Sequence, residues 1–291
     1  MTCAMTDYPL VSVIIPVYND AARLALCLNA LESQRYPADR VEILVVDNGS
    51  TDDPAPAVGQ MARARLLYEP TPGSYAARNL GIAAARGDVL AFTDADCLPK
   101  PDWLCHGVRL LDATPNCGLV GGRIRLFTGR RPTTVELYQQ VFAFQQEHYV
   151  RTDRFAATAN MFTTRAVMRA VGTFDQRLKS GGDHHWGNRV ADAGYTLVYA
   201  PDAVVLHPAR ASQAEWRRKL ERVVGGVHVA GGRTLTPASF APPVRALGKI
   251  ARSPELHGPV ARLRVMTLAF LRTYIRTREA LRLTWGGSPQ R

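Results

Sequence analysis

The chain has 291 residues, 46% of them hydrophobic, and a formal net charge of +11. That length and apolar content support a buried core and exclude wholesale disorder. No apolar run approaches the roughly 20 residues of a bilayer span, and residues 1–10 lack the basic and apolar regions of a signal peptide, so the cytoplasm is the expected compartment.

The charge is unevenly divided. Residues 1–200 hold 20 Lys+Arg and 20 Asp+Glu, whereas 201–291 hold 16 and 5. A basic last third implies an anionic partner, with a membrane surface at the inner face of the cell membrane ahead of nucleic acid. The five cysteines (Cys3, Cys27, Cys97, Cys105 and Cys117) show no CxxC spacing. They suit reduced thiols better than a disulfide or zinc framework.

In chain order, Val11 to Ile15 is a β-branched run ended by Pro16, which predicts a buried strand. The turn Tyr18-Asn19-Asp20 follows, and Leu24, Cys27, Leu28 and Leu31 recur at helical spacing through Gln34. Asn19 or Asp20 is placed to cap that helix. A second strand, Val41 to Val46, leads into the polar segment Asp47 to Asp52. Strand, helix and strand within so short a span predict a parallel sheet covered by helices. Tyr75 to Ala85 reads as a helix stopped by Gly87, and Val89 to Phe92 as a strand running into Thr93-Asp94-Ala95-Asp96.

Further on, Asp102 opens a helix, Val120 to Phe127 is a strand, and Val135 to Val150 and Thr163 to Val171 are helices. The loop Ser180-Gly181-Gly182-Asp183 opens a helix through Ala193, and Ala203 to His207 is extended. Residues 232–259, with five prolines, read as a linker, and 260–283 return to helix.

In open α/β sheets ligands bind beyond the carboxyl ends of the strands. The polar clusters at 16–20, 47–52 and 94–96 each follow a strand, so they are expected to line one crevice. Asp94 and Asp96, separated by the small Ala95, suit a hard cation such as Mg²⁺ or Mn²⁺ that shares a diphosphate.

Four blocks then carry a resemblance. Val13 to Asp20, Val45 to Asp52, Gly73 with Ala77-Arg78-Asn79-Leu80-Gly81, and Thr93 to Asp96 stand in an order and spacing that resemble the family 2 glycosyltransferases. The likeness is strong over residues 10–105 and looser to about 210. It implies an α/β, GT-A fold with a mostly parallel mixed sheet flanked by helices. The expected organisation is a glycosyltransferase domain over 1–210 (a nucleotide-sugar half at about 10–105 and an acceptor half at about 106–210), with a basic helical extension over 211–291.

The resemblance also implies roles. The loop with Pro16, Tyr18, Asn19 and Asp20, together with Asp47, would hold the nucleotide of a nucleoside diphosphate sugar, a UDP-sugar first among them. Arg78 would bring positive charge to the nucleotide or orient the aspartates, as opposed to being a surface arginine. Asp94, Ala95 and Asp96 would meet donor and metal, with His207 completing the metal's coordination. Asp183 matches the family's catalytic base, which in inverting transfer takes the acceptor hydroxyl proton. Many members have Glu-Asp where this chain has Gly182-Asp183. His184, His185, Trp186 and Asn160 are weaker candidates for the acceptor, a sugar or a lipid-linked glycan of bacterial polysaccharide, glycolipid or glycoconjugate synthesis. For Trp186 the choice is between a sugar platform and core.

The C-terminal helix sets a broad apolar face of Leu263, Met266, Leu268, Ala269, Phe270, Leu271, Tyr274 and Ile275 among arginines, the pattern of an interfacial binder. A second copy of the chain or the helix's own domain is the competing partner. Alternatives to catalysis are a nucleotide-sugar-binding relative without activity and a nucleic-acid binder. No reader motif supports the latter, so nucleic acid is not expected as a partner.

Overall fold

The computed structural model describes residues 7–229, 235 and 237–287. It divides into two compact units. The first comprises the described residues of Met1–Arg125, Phe144–Arg177 and Gly182–His207. The second comprises those of Leu126–Ala143, Leu178–Gly181 and Pro208–Arg291.

In chain order the elements are β1 (Val11–Val17), α1 (Ala21–Glu32), β2 (Val41–Asp47), α2 (Ala55–Gly59), β3 (Ala64–Tyr68), α3 (Ser74–Ala84), β4 (Val89–Thr93), β5 (Leu98–Pro99) and α4 (Trp103–Ala113). Then come β6 (Cys117–Phe127), α5 (Thr134–Phe142), α6 (Gln146–His148), β7 (Asn160–Thr164), α7 (Arg165–Val171), α8 (Gly182–Asp192) and β8 (Thr196–Pro208). Helices α9 (Gln213–Val229), α10 (Val244–Arg252) and α11 (Gly258–Thr284) complete the chain.

The strands form one eight-stranded sheet ordered β3-β2-β1-β4-β7-β6-β8-β5. The first four are parallel, and Val11, Val13 and Ile15 of β1 pair with Val41, Ile43 and Val45 of β2. Beyond β4 the pairing reverses: β7 runs antiparallel to both β4 and β6. The fold class is therefore the α/β, mixed-sheet architecture expected, with its parallel part confined to the first half of the first unit. Strands β1, β2 and β4 carry apolar residues on both faces because helices cover them; only Pro16 and Asp47, at their carboxyl ends, are partly open.

Three local expectations change. The helix predicted over 135–150 ends at Phe142, because Ala143 is extended and Phe144 takes a left-handed φ of 50°. Residues 160–164, partly assigned to a helix, form β7, whose hydrogen bonds come from β4. Part of the expected linker is helix α10, with Pro243 at its N-cap, where a missing N–H costs nothing. Residues 232–234 and 236 of that linker lie outside the described residues. Cys27, Cys97 and Cys117 are free thiols, as expected.

In the second unit, α5 and α9–α11 share an apolar cluster built on Tyr138, Trp216, Ile250, Val265, Leu268 and Ile275. Among the described residues no helix is long and apolar enough to cross a membrane.

Candidate active site

The carboxyl ends of β1 and β2 present two loops that hold each other. Asn19 adopts φ 51°, a left-handed conformation that asparagine tolerates better than most residues. Its N–H donates to Ser50 Oγ (2.9 Å), and its Oδ1 accepts the Thr51 N–H (2.6 Å). The N-terminus of α1 is capped from the neighbouring loop: Asp52 accepts the Ala21 N–H at 2.8 Å. This corrects the capping expected of Asn19 or Asp20. Asp20 instead pairs with Arg23 (2.6 Å) and makes no cap bond. Asp47 accepts the Ser50 N–H (3.0 Å), so its carboxylate is fixed at the strand end. Asn48 reaches over to accept the Gly73 N–H at 2.6 Å. Gly73 enters α3 at φ 137°, a conformation open to glycine. Tyr18 is exposed at the rim.

Arg78 lies on the buried face of α3 and is only 4% exposed, which rules out the surface-arginine alternative. Its Nη2 donates to Asp94 Oδ1 at 2.5 Å, and the guanidinium stands over the Tyr75 ring. Its Nε is buried without a hydrogen-bond partner. A buried cation with a donor left over is built to meet more negative charge than one carboxylate supplies.

Asp96 faces the other way. Its Oδ1 is 3.6 Å from Nε2 of His207, and its Oδ2 is 3.9 Å from Arg23. His207 is 3% exposed, with its ring against Phe144 at 4.6 Å between centroids. Asp96, Cys97 and His207 offer potential ligand atoms within 4.8 Å of one another. A carboxylate and an imidazole so disposed fit a divalent cation such as Mn²⁺. Burial, and then the charges of Asp94 and Asp96, push the Cys97 thiol well above its ordinary range, and the thiol points to the Ala159 carbonyl. Asp94 is engaged by Arg78 and is not one of that cluster. Ala95 is buried between the two aspartates, where a larger side chain would have to displace core.

Asp183 stands in the first turn of α8. Its Oδ1 accepts the Tyr75 hydroxyl at 3.1 Å and the His184 N–H at 3.0 Å, while Tyr75 Oη accepts the Asp183 N–H at 3.3 Å. Burial, and then the Asp183 charge, push the Tyr75 phenol far above its usual range, so it stays a neutral donor. Tyr75 is a site residue that sequence reading did not single out. Its one signal was its place just ahead of the Ala77-Arg78-Asn79 block.

An aromatic wall supports this pair: Phe174 touches Tyr75, Phe92 and Trp186 with centroids 5.5–5.6 Å apart. The glycine before Asp183 has a physical reason here, because a Cβ on Gly182 would lie 2.7 Å from the Tyr75 ring. Gly182→Ala should therefore cost about 1–3 kcal/mol by overpacking and lower turnover by moving Tyr75 or α8. Chemical denaturation and steady-state rates check the two effects separately.

Two acceptor candidates are corrected. Trp186 is fully buried, donates to the Gly172 carbonyl at 2.7 Å, and is core, with no face for a sugar. Trp186→Ala should destabilise by about 3–5 kcal/mol, read from the denaturation midpoint. Asn160 is also fully buried: Trp103 donates to its Oδ1, and its amide donates to the carbonyls of Arg123 and Ala203. Its side chain ties β7 to its neighbours in the sheet and has no free polar atom for a sugar. His184 and His185 are exposed, with His184 edge-on to Phe155.

Comparisons with known proteins bear on this arrangement. The family model described as glycosyl transferase family 2 matches residues 12–171. The glycosyltransferase AglE of Haloferax volcanii is 42% identical over 207 residues, 69% of this chain and 68% of that protein. The pre-mycofactocin glycosyltransferase of Mycobacterium tuberculosis is 33% identical over 218 residues, covering 71% of this chain but 44% of the relative. Among solved structures, the mannosyltransferase PcManGT from Pyrobaculum calidifontis, in complex with GDP-Man and Mn²⁺, matches with a TM-score of 0.65 at 22% identity over 96% of this chain and 88% of that one. S. aureus TarS 1-349 in complex with UDP-GlcNAc matches at 0.57 and 18% identity, over 95% and 92%. The structural likenesses carry the GT-A fold, the sequence matches carry the lineage, and the chain belongs to glycosyl transferase family 2.

Proposed function

We propose that this glycosyltransferase moves a sugar from a nucleoside diphosphate sugar to a hydroxyl acceptor with inversion at the anomeric carbon. The observation that carries the reading is the meeting of two carboxylate sites around Tyr75 and Arg78: Asp94 on the Arg78 guanidinium, and Asp183 on the Tyr75 hydroxyl. The loops of Asn19 and Asp47 take the nucleoside, a role in line with the nucleotide-sugar complexes of PcManGT and TarS. Arg78, with its unpartnered Nε, holds negative charge of the diphosphate near Asp94.

Asp96 and His207 are the residues that would hold a divalent metal. Bound there, Mn²⁺ or Mg²⁺ would offset the charge that gathers on the departing diphosphate. Asp183 accepts the proton of the acceptor hydroxyl as that oxygen attacks the anomeric carbon, and the bond to the diphosphate breaks on the opposite face. Tyr75 fixes the direction of the carboxylate through its hydroxyl.

The reading is tested by measuring thermal stabilisation by a panel of nucleoside diphosphate sugars, with and without Mn²⁺, and then the anomeric configuration of the product by NMR. One stabilising donor and an inverted product support it. A retained configuration would remove Asp183 from the base role, and no stabilisation by any donor would remove donor binding.

A further inference from the structure

The second unit contains a cavity of about 800 Å³ between α10 and α11. Four cations line it: Arg245 and Lys249 from α10, Arg272 and Arg276 from α11. No acidic residue is among its described lining residues. In the same unit Arg217 pairs with Glu221 (2.8 Å) and Arg282 with Glu279 (2.6 Å), both away from the cavity lining. No described carboxylate lies within 4.0 Å of Arg245, Arg272 or Arg276. Partial desolvation, and then the Arg272 charge, lower the Arg276 pKa, although its side chain stays open to solvent. Guanidinium forks gathered without a counter-ion suit a dianionic phosphate, whose oxygens accept paired N–H bonds.

The surroundings of the cavity are apolar on one side. Pro242 and Pro243 line it, and Val227 and Val244, also in the lining, are exposed. Along α11, Leu263, Phe270 and Tyr274 stand at spacings of seven and four residues, so they share one helix face, and all three are at least half exposed. The opposite face, with Val265, Leu268, Ala269 and Ile275, is the buried one. The α11 helix therefore has two apolar faces, of which one is covered, and the uncovered one flanks Thr273 and Thr277 of the cavity. Phe270 and Tyr274 lie about 200° around the helix from Arg272 and Arg276, so the apolar surface next to the cations is that of Val227 and Val244 in the lining.

We propose that this cavity is a binding site for the phosphate of a lipid, a terminal phosphate carried on an apolar chain, held by Arg245, Lys249, Arg272 and Arg276 while the exposed Val227 and Val244 of the lining meet the apolar chain. The site is independent of the glycosyl-transfer reading. It gives four of the 16 Lys+Arg of the basic last third a specific pocket.

The full chain is tested by co-sedimentation with phosphatidylcholine vesicles carrying either phosphatidic acid or phosphatidylserine at equal surface charge. Inorganic diphosphate, read by thermal shift, serves as the soluble arm. The wild type should prefer phosphatidic acid by about tenfold or more, the scale of charge-assisted hydrogen bonds. Arg272→Gln/Arg276→Gln should abolish that preference, with the ligand-free melting temperature unchanged or raised because like charges are removed. Arg218→Gln/Arg278→Gln, an equal charge loss at exposed positions, should weaken both vesicle types alike and keep the preference. Should the first pair fail to fold, Arg245→Gln on exposed α10 takes its place. Equal losses in both pairs would overturn the site. A diphosphate shift lost in the pocket variant without any vesicle preference would overturn the lipid and leave a soluble phosphate. Stabilisation by donor, measured on the same variants, reports on glycosyl transfer alone.

Discussion

Asp183→Asn is expected to lower kcat by about 10²- to 10⁴-fold, the usual contribution of a positioned base, while leaving donor binding intact. The substitution keeps the shape of the side chain. An asparagine Oδ1 can still accept from the Tyr75 hydroxyl and the His184 N–H, which are the two bonds that fix Asp183. The Phe174 and Trp186 support is untouched, so the melting temperature should change little. What is lost is basicity at the one atom that must take the acceptor proton. The nucleotide loops, Arg78 and Asp94 do not contact Asp183, so thermal stabilisation by donor should match the wild type. Turnover within tenfold of wild type would show that the proton goes elsewhere. Loss of donor stabilisation would show that Asp183 acts on the donor.

The parallel half of the sheet was legible because β1, β2 and β4 are buried on both faces, and such strands leave uninterrupted apolar runs. The antiparallel half was not. Strand β7 carries Asn160, Thr163 and Thr164, and only its pairing with β4 and β6 makes it a strand. The end of α5 at Phe142 was hidden for a similar reason: Phe144 leaves helical geometry where its ring meets His207, far along the chain.

The same divide runs through the site. Asp47, Asp94 and Asp96 follow strand ends and could be located from local pattern. The Tyr75–Asp183 bond spans 108 residues, and nothing local marks it. Trp186 reads identically as a sugar platform or as core until its burial is known. The basic tail was visible as charge, but the gathering of Arg245, Lys249, Arg272 and Arg276 around one cavity is a property of helix packing.

Asp96→Asn is the second substitution with a large expected effect, and it should remove the dependence of donor binding on Mn²⁺. In the wild type, ligand binding to the folded chain raises its stability by RT ln(1 + [L]/Kd), so stabilisation by a nucleoside diphosphate should grow when Mn²⁺ is added. Asp96 is the carboxylate that faces the His207 imidazole, whereas Asp94 is held by Arg78. Replacing an anionic oxygen with an amide removes the charge that a hard cation prefers. The Mn²⁺ increment should therefore vanish, with a residual, metal-independent shift from the Asn19 and Asp47 loops and from Arg78. Because Asp96 is partly open and asparagine keeps its shape, the apo protein should keep its melting temperature within a few degrees. Asp94→Asn makes the contrast: Arg78 keeps an acceptor in the asparagine Oδ1 but loses its counter-charge, which costs about 1–3 kcal/mol because Asp94 is partly open. The two aspartates, one residue apart, should thus fail in different assays, Asp96 in metal-dependent binding and Asp94 in folding. Equal behaviour of the two variants would mean that they act as one ligand pair, against the division of labour that Arg78 and His207 impose.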